Sequence, residues 1–311
     1  MTIRKGTRVM QKKTFVMLLI LPFIWGGYYL ASNAAVSRLS VFPVGVMIRL
    51  VTMVFMTAVM LFRGELKELK RIQSVWPRLI LIGTLGFLLD ATAFLGLSLC
   101  PAGIGTVLLK SDILFVTLIS VIFYHYHFSR TDWICTFIML GGVVLVLDID
   151  FSHVQVGGFG NLFFILSALF VSINAFVIQS VLHDKVNPLR DDVVAWYNNL
   201  ITLIYFLIFS TVSGSIRELV HLRTDTYADL ALLLAALGQT LIYIVYYYNL
   251  RENPVWLVKV FLLLMPVVST VLSYLIFGEV PKPVQLAGMA AVLCGAAVII
   301  MEQRRKPQTT S

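Results

Sequence analysis

Ten runs of about twenty apolar residues follow one another along this chain, at 14–36, 41–62, 79–100, 102–124, 132–149, 160–182, 193–213, 228–249, 254–277 and 283–301. A helix rising 1.5 Å per residue needs about 20 residues to cross the hydrocarbon of a bilayer, and these runs have that length. They leave little chain for anything else. Of 311 residues, 59% are hydrophobic and only 13% charged, too little polar surface to clothe a water-soluble globule. In hydrocarbon every backbone polar group must be satisfied within the chain, so only helices and closed barrels span a membrane. The runs are continuous rather than alternating, which selects helices. The expected fold is an all-α membrane protein of ten transmembrane helices.

Basic residues give the expected orientation, because Lys and Arg accumulate on the cytoplasmic side. With the N-terminus placed there, 17 of the 24 basic residues fall on the cytoplasmic face, and Arg38, Arg217, Arg223 and Lys282 on the other. Arg49, Lys110 and Lys259 remain inside spans. Both tails, 1–13 and 302–311, are thus expected in the cytoplasm, with the protein in the cell (inner) membrane. The first run follows Arg4, Lys5, Arg8, Lys12 and Lys13, but Trp25, Tyr28 and Tyr29 interrupt it and no small-residue cleavage site follows, so it reads as a retained span. The net charge of +8 is spread over separate loops, which fits attraction to anionic lipid and gives no nucleic-acid footprint. Cys100, Cys135 and Cys294 lie in or beside apolar runs without metal-type spacing and read as packing residues.

A weak internal repeat is visible at an offset of 154 residues, where Leu118, Ile122, Phe123, Gly141 and Val144 fall on Leu272, Ile276, Phe277, Gly295 and Val298. Spans four and five align as a unit with nine and ten. Five spans per half is an odd number, so the second half, 160–301, is expected to run inverted to the first, 14–149. Substrate sites in such proteins lie near the midplane between the halves.

Trp25-Gly26, Pro43 followed by Arg49, and Phe277-Gly278-Glu279 with Gly295 carry a resemblance to the drug/metabolite transporter superfamily, EamA type. It extends over essentially the whole chain. The resemblance implies ten helices in two inverted repeats around a central cavity, working by alternating access; Arg49, Asn174, Pro266 and Glu279 are read as gating or packing residues. The first half departs from the pattern: Tyr124-His125-Tyr126-His127 stands where an acidic counterpart of Glu279 belongs, and Asp112 or Leu114 where span four would carry a proline. Trp196-Tyr197-Asn198-Asn199-Leu200-Ile201-Thr202 is similar to the FYNNxLS motif of nucleotide-sugar transporters, and Val255-Trp256-Leu257-Val258-Lys259 keeps two residues of their GALNK motif. Triose-phosphate carriers, also similar, set lysines in spans four and nine against phosphate, as Lys110 and Lys259 are placed here.

Charges inside spans cost about 2.5–3.5 kcal/mol each on insertion scales, so each needs a reason. Asp90 and Lys110 are expected at similar depth in the hairpin of spans three and four, either as a structural pair or as a switch in which Lys110 exchanges Asp90 for an anionic group of the substrate. Asp90 reads as the sole acidic group well inside a span, hence the candidate for proton coupling. Lys259 either snorkels to the interface or faces the cavity with Tyr197 and Asn198. Arg49 reads as a packing or gate residue, with substrate contact as its alternative. Trp25, Tyr28, Tyr197, Tyr243 and Tyr247 offer a competing aromatic cage for cations, with Gln239 one turn from Tyr243, while Tyr246 to Tyr248 read as interface anchors. In span six, Ser167, Ser172, Asn174 and Gln179 read as helix-to-helix hydrogen-bond partners or as cavity lining.

The five histidines fall in loops or at span ends, no nucleophile, base and acid converge, and no phosphate-cradling glycine loop is present. The expectation is a secondary transporter of a small polar metabolite. Lys110, Lys259, Asp90, Tyr197, Asn198, Asn199, Trp25, Tyr28, Gln239 and Tyr243 are its candidate substrate contacts, with a slight preference for a phosphorylated or carboxylated cargo. Protons or a counter-substrate would drive it, no cofactor or metal is expected, and monomer and homodimer stay open. The alternatives are an exporter of amino acids or organic amines and, from another class, a membrane receptor or membrane-embedded enzyme.

Overall fold

Apolar sequence in hydrocarbon forms helix because that is how its backbone can pair, and the computed structural model is helical through most of the described part of each run. It describes residues 12–72, 74–99, 108–126, 128–147, 159–221, 226–277 and 280–305. The helices are α1 (Lys12–Val36), α2 (Val41–Phe62), α3 (Trp76–Leu99), α4 (Asp112–Ile122), α5 (Arg130–Val146), α6 (Phe159–Leu182) and α7 (Asp191–Val212). After a one-turn helix at Glu218–His221 come α8 (Thr226–Glu252), α9 (Val255–Leu262), α10 (Met265–Phe277) and α11 (Pro283–Arg305). Among the described residues no strand occurs. Six of the helices, α1, α2, α3, α6, α7 and α8, are long and apolar enough to cross a membrane, while α4, α9 and α10 are shorter.

Local chemistry sets where these helices stop. At the end of α2, Gly64 takes a left-handed φ of 70° that a side chain would resist, so the chain turns back on itself. The Gly64 N–H donates to Leu61 O at 3.0 Å and the Glu65 N–H to Met60 O at 2.9 Å, which aims Glu65 across the end of the bundle. α5 begins with a reciprocal cap: the Asp132 N–H donates to the Ser129 hydroxyl at 3.0 Å and the Ser129 N–H to the Asp132 carboxylate at 2.9 Å.

The single helix expected over 254–277 is two. Leu263 and Leu264 donate to carbonyls three residues back, closing α9 with a tightened turn, and Pro266 has no N–H to continue the ladder. A similar break occurs in the first half without proline. Ser111 donates its N–H at 3.1 Å and its hydroxyl at 2.6 Å to Leu108 O, and α4 starts at Asp112. Asp112 and Pro266 are 154 residues apart, the offset of the internal repeat.

Packing between the halves repeats this correspondence. α1 lies along α8 and α3 along α6; α2 pairs with α7, and α5 with α11. Exchanging the halves turns the first of these contacts into the second and each of the others into itself. α4, α9 and α10 fill the gap left by their breaks, with α4 against α6 and α9, and α1 against α9 and α10.

Candidate functional site

Helices α1, α2, α3, α6, α7 and α8 enclose a central cavity of about 40 Å³. Trp25, Tyr28, Tyr243, Tyr246 and Tyr247 form much of its wall, and Arg49, Asp90, Asn174, Asn198 and Gln239 supply polar groups. The rings meet edge to face, Trp25 with Tyr246 at 6.0 Å and Tyr243 with Tyr247 at 5.5 Å between centroids. Helices α3 and α7 approach here closely enough to require glycine: a Cβ on Gly86 would lie 2.4 Å from the Asn198 Oδ1. That approach holds Asn198 at the wall, where its Nδ2 donates to the Tyr247 hydroxyl at 2.6 Å and its Oδ1 accepts from Thr202 at 3.2 Å.

The centre of the wall is an ion pair. Arg49 on α2 donates through Nη2 to the Asp90 carboxylate and through Nη1 to the Tyr243 hydroxyl. Asn199 supports it from behind, donating to Arg49 O at 2.9 Å and accepting from Nη1 at 3.5 Å. The expected pairing of Asp90 with Lys110 is therefore corrected: Asp90 is taken by Arg49, which reaches it from α2, and the break at Lys110 and Ser111 carries the lysine toward α10 instead.

A second charged cluster stands at the two helix breaks. Lys259 on α9 donates to the Asp112 Oδ2 at 2.8 Å and lies 5.6 Å from the ring centroid of Tyr246, which also lines the cavity. Asp112 sits in the first turn of α4, where the helix dipole favours a carboxylate, and its backbone carbonyl accepts from the Ser172 hydroxyl at 3.1 Å. The snorkelling reading of Lys259 is corrected, since the residue is 2% exposed and enters an internal ion pair. Lys110, 6% exposed, has one hydrogen-bond partner among the described residues, the Met265 thioether at 3.8 Å, and lies within the field of Asp112 and Lys259.

Other candidates are placed as follows. Trp25, Tyr28, Asn174, Asn198, Gln239 and Tyr243 all line the cavity. Tyr197 does not; its hydroxyl donates to Leu69 O at 2.8 Å, in the segment that follows α2, so its place in the cavity is corrected. Asn199 is buried behind Arg49 rather than on the wall. Pro266 marks the start of α10, and Glu279 lies outside the described residues. In span six, Ser167 donates to Leu89 O at 2.7 Å and Gln179 to Leu250 O at 2.8 Å, binding α6 to its neighbours. Asn174 Oδ1 and Trp25 Nε1 are buried without a hydrogen-bond partner among the described residues.

Two residues escaped the sequence reading. Asp112 is a second embedded acid, and its position in the middle of span four was the available signal. Tyr246 passed for an interface anchor because it lies near the expected end of span eight; α8 runs on to Glu252, which brings the tyrosine inside.

A multi-pass helical membrane protein, with two structurally matched halves and a polar-lined interior between them, has the architecture of a membrane transporter. The chain belongs to the EamA-like transporter family, whose pattern matches residues 12–148 and again 158–301. Among solved structures, one described only as the crystal structure of a protein is similar over 95% of this chain and 99% of its own, at 17% identity and a TM-score of 0.76, which shows the shared fold. No curated protein matches the chain.

Proposed function

We propose that this protein is a secondary transporter that moves a small polar metabolite by alternating access, with a preference for an anionic, phosphorylated or carboxylated cargo. The observation that carries the anionic preference is the charge balance of the interior. Around the cavity and the helix breaks, three buried cations, Arg49, Lys110 and Lys259, meet two buried carboxylates, Asp90 and Asp112. Two ion pairs use four of these groups. Lys110 makes no ion pair of its own among the described residues and shares the charge of Asp112 with Lys259, so the buried cluster carries one cation more than it has carboxylates, an excess that an anion would balance.

On this reading the chain has ten spans in two inverted halves, 14–149 and 160–301, with both tails in the cytoplasm and the protein in the inner membrane. Protons or a counter-substrate supply the driving force. At about 40 Å³ the cavity is far smaller than the roughly 300 Å³ at which ligand pockets begin, so cargo enters a more open conformation.

The test is thermal unfolding of the purified protein against inorganic phosphate, small carboxylates and choline-like amines. A ligand at 100 times its Kd stabilises by about 2.7 kcal/mol, so anions should raise the melting temperature. In Lys110→Met that response should vanish, while the ligand-free protein melts a few degrees higher for losing the excess buried charge. Stabilisation by amines alone would overturn the anionic reading. It would favour the alternative, an amine or amino-acid exporter, which the aromatic wall and the neutral Arg49–Asp90 pair support.

A further inference from the structure

The two halves are also joined at one end of the bundle by polar contacts that take no part in the cavity. Glu65, aimed by the turn at Gly64, pairs with Arg190 at 2.6 Å, and Arg78 at the start of α3 pairs with Asp184 just beyond α6. Two loop carbonyls of the first half are bound by the second: the Asn187 side chain donates to Arg71 O at 2.8 Å, and the Tyr197 hydroxyl to Leu69 O at 2.8 Å. The partners are pre-set by their own surroundings. Asp184 accepts from the backbone N–H groups of Asn187 at 2.8 Å and Val186 at 3.0 Å. Asn187 N–H and then the Arg78 guanidinium hold its carboxyl down to about 2, so it is ionised at any physiological pH. Arg251 completes the edge, pairing with Asp191 at 2.6 Å and donating to Leu189 O at 2.7 Å.

At the opposite end of α2, about 33 Å away for 22 residues, the halves meet again. There the Ser40 N–H donates at 2.9 Å and its hydroxyl at 2.6 Å to the Glu218 carboxylate.

We propose that the Glu65–Arg190 and Arg78–Asp184 pairs, with Asn187 and Tyr197, form a latch that opens as one unit when the cavity opens toward their face, and that its opening is balanced against the Ser40–Glu218 contact at the far end. The argument is geometric. Each tie joins one half to the other, and all lie at the same end of α2, α3, α6 and α7, the helices that carry Arg49, Asp90, Asn174 and Asn198. These helices cannot part at that end without breaking the ties together. The pairs are partly exposed, so each is weak, and a set of weak ties can be broken and remade during a working cycle.

The device rests on the alternating access proposed above, and its test is independent of the cargo. Hydrogen exchange is followed by mass spectrometry on the ligand-free full-length protein in nanodiscs, for the native chain, Arg78→Gln, Glu65→Gln and Arg78→Lys. With either glutamine variant, segments 63–75 and 183–190 should exchange faster together, by up to about fivefold per pair, while the segment around Ser40 becomes slower. Arg78→Lys should restore most of the native pattern. Faster exchange confined to the loop of the altered residue, or no change around Ser40, would show a local surface pair and overturn the latch. A see-saw response in a protein that no anion or amine stabilises would keep the latch while the cargo reading falls.

Discussion

Arg49 and Asp90 are both buried and each satisfies the other, so neither can be removed alone without cost. Loss of one partner of a buried pair leaves a bare charge and typically costs about 3–5 kcal/mol, whereas removing both can be close to neutral. Arg49→Met should therefore lower thermal stability severely, and Arg49→Met combined with Asp90→Leu should recover most of it. Additive losses in the double variant, read from melting curves, would mean that the two residues act independently. Partner choice at this scale was not legible in the sequence. Asp90 stands 41 residues from Arg49, and Asp112 stands 147 from Lys259. Arg49, Lys110 and Asp90 all sit several residues inside their spans, so depth alone allowed the wrong pair. The presence of embedded charges was legible, because hydrocarbon tolerates so few.

At the scale of elements, hydropathy located the helices well, since a bilayer imposes one length on each run. What it missed was continuity within a run. The break before α10 has a visible cause in Pro266, while the break at Lys110 and Ser111 rests on a serine that bonds back to Leu108 O and on packing against α9 and α6. The two breaks therefore differ in what holds them open. Pro266→Ala should let α9 and α10 approach one continuous helix, with the amides of Leu264, Met265 and Val267 exchanging several-fold more slowly. Unchanged exchange there would assign the break to the surrounding charge cluster instead.

For the whole molecule, the exchange of contacts between halves matches the sequence repeat, although few identities survive to announce it. Two structures of similar shape now carry different chemistry: the first half brings Asp112 to the place where the second has Pro266. The orientation proposed from 17 basic residues against four is open to direct measurement. A fluorescent protein that folds only in the cytoplasm, fused after Ser311, should light up, and alkaline phosphatase at the same site should stay inactive. In the proposed orientation the Gly64 end of α2, where the latch lies, faces the cytoplasm, and the reverse result would place it on the other side.

The unpartnered Trp25 Nε1 and Asn174 Oδ1 impose a rule on any guest that fills the cavity. One is a donor and the other an acceptor. A guest that answers both gains two hydrogen bonds, while an isostere lacking one answering group seals a bare polar atom away from water, at about 1–3 kcal/mol each. An added or missing methylene against Leu89 or Ile242 on the wall is discriminated by only about 10- to 200-fold, whereas sites built on hydrogen bonds can reject a mismatched analogue by roughly 10⁴ or more. Selectivity in this interior would then be strict about the pattern of donors and acceptors and lenient about bulk, so close chemical relatives of one cargo could be told apart while differently sized members of a homologous series share the path.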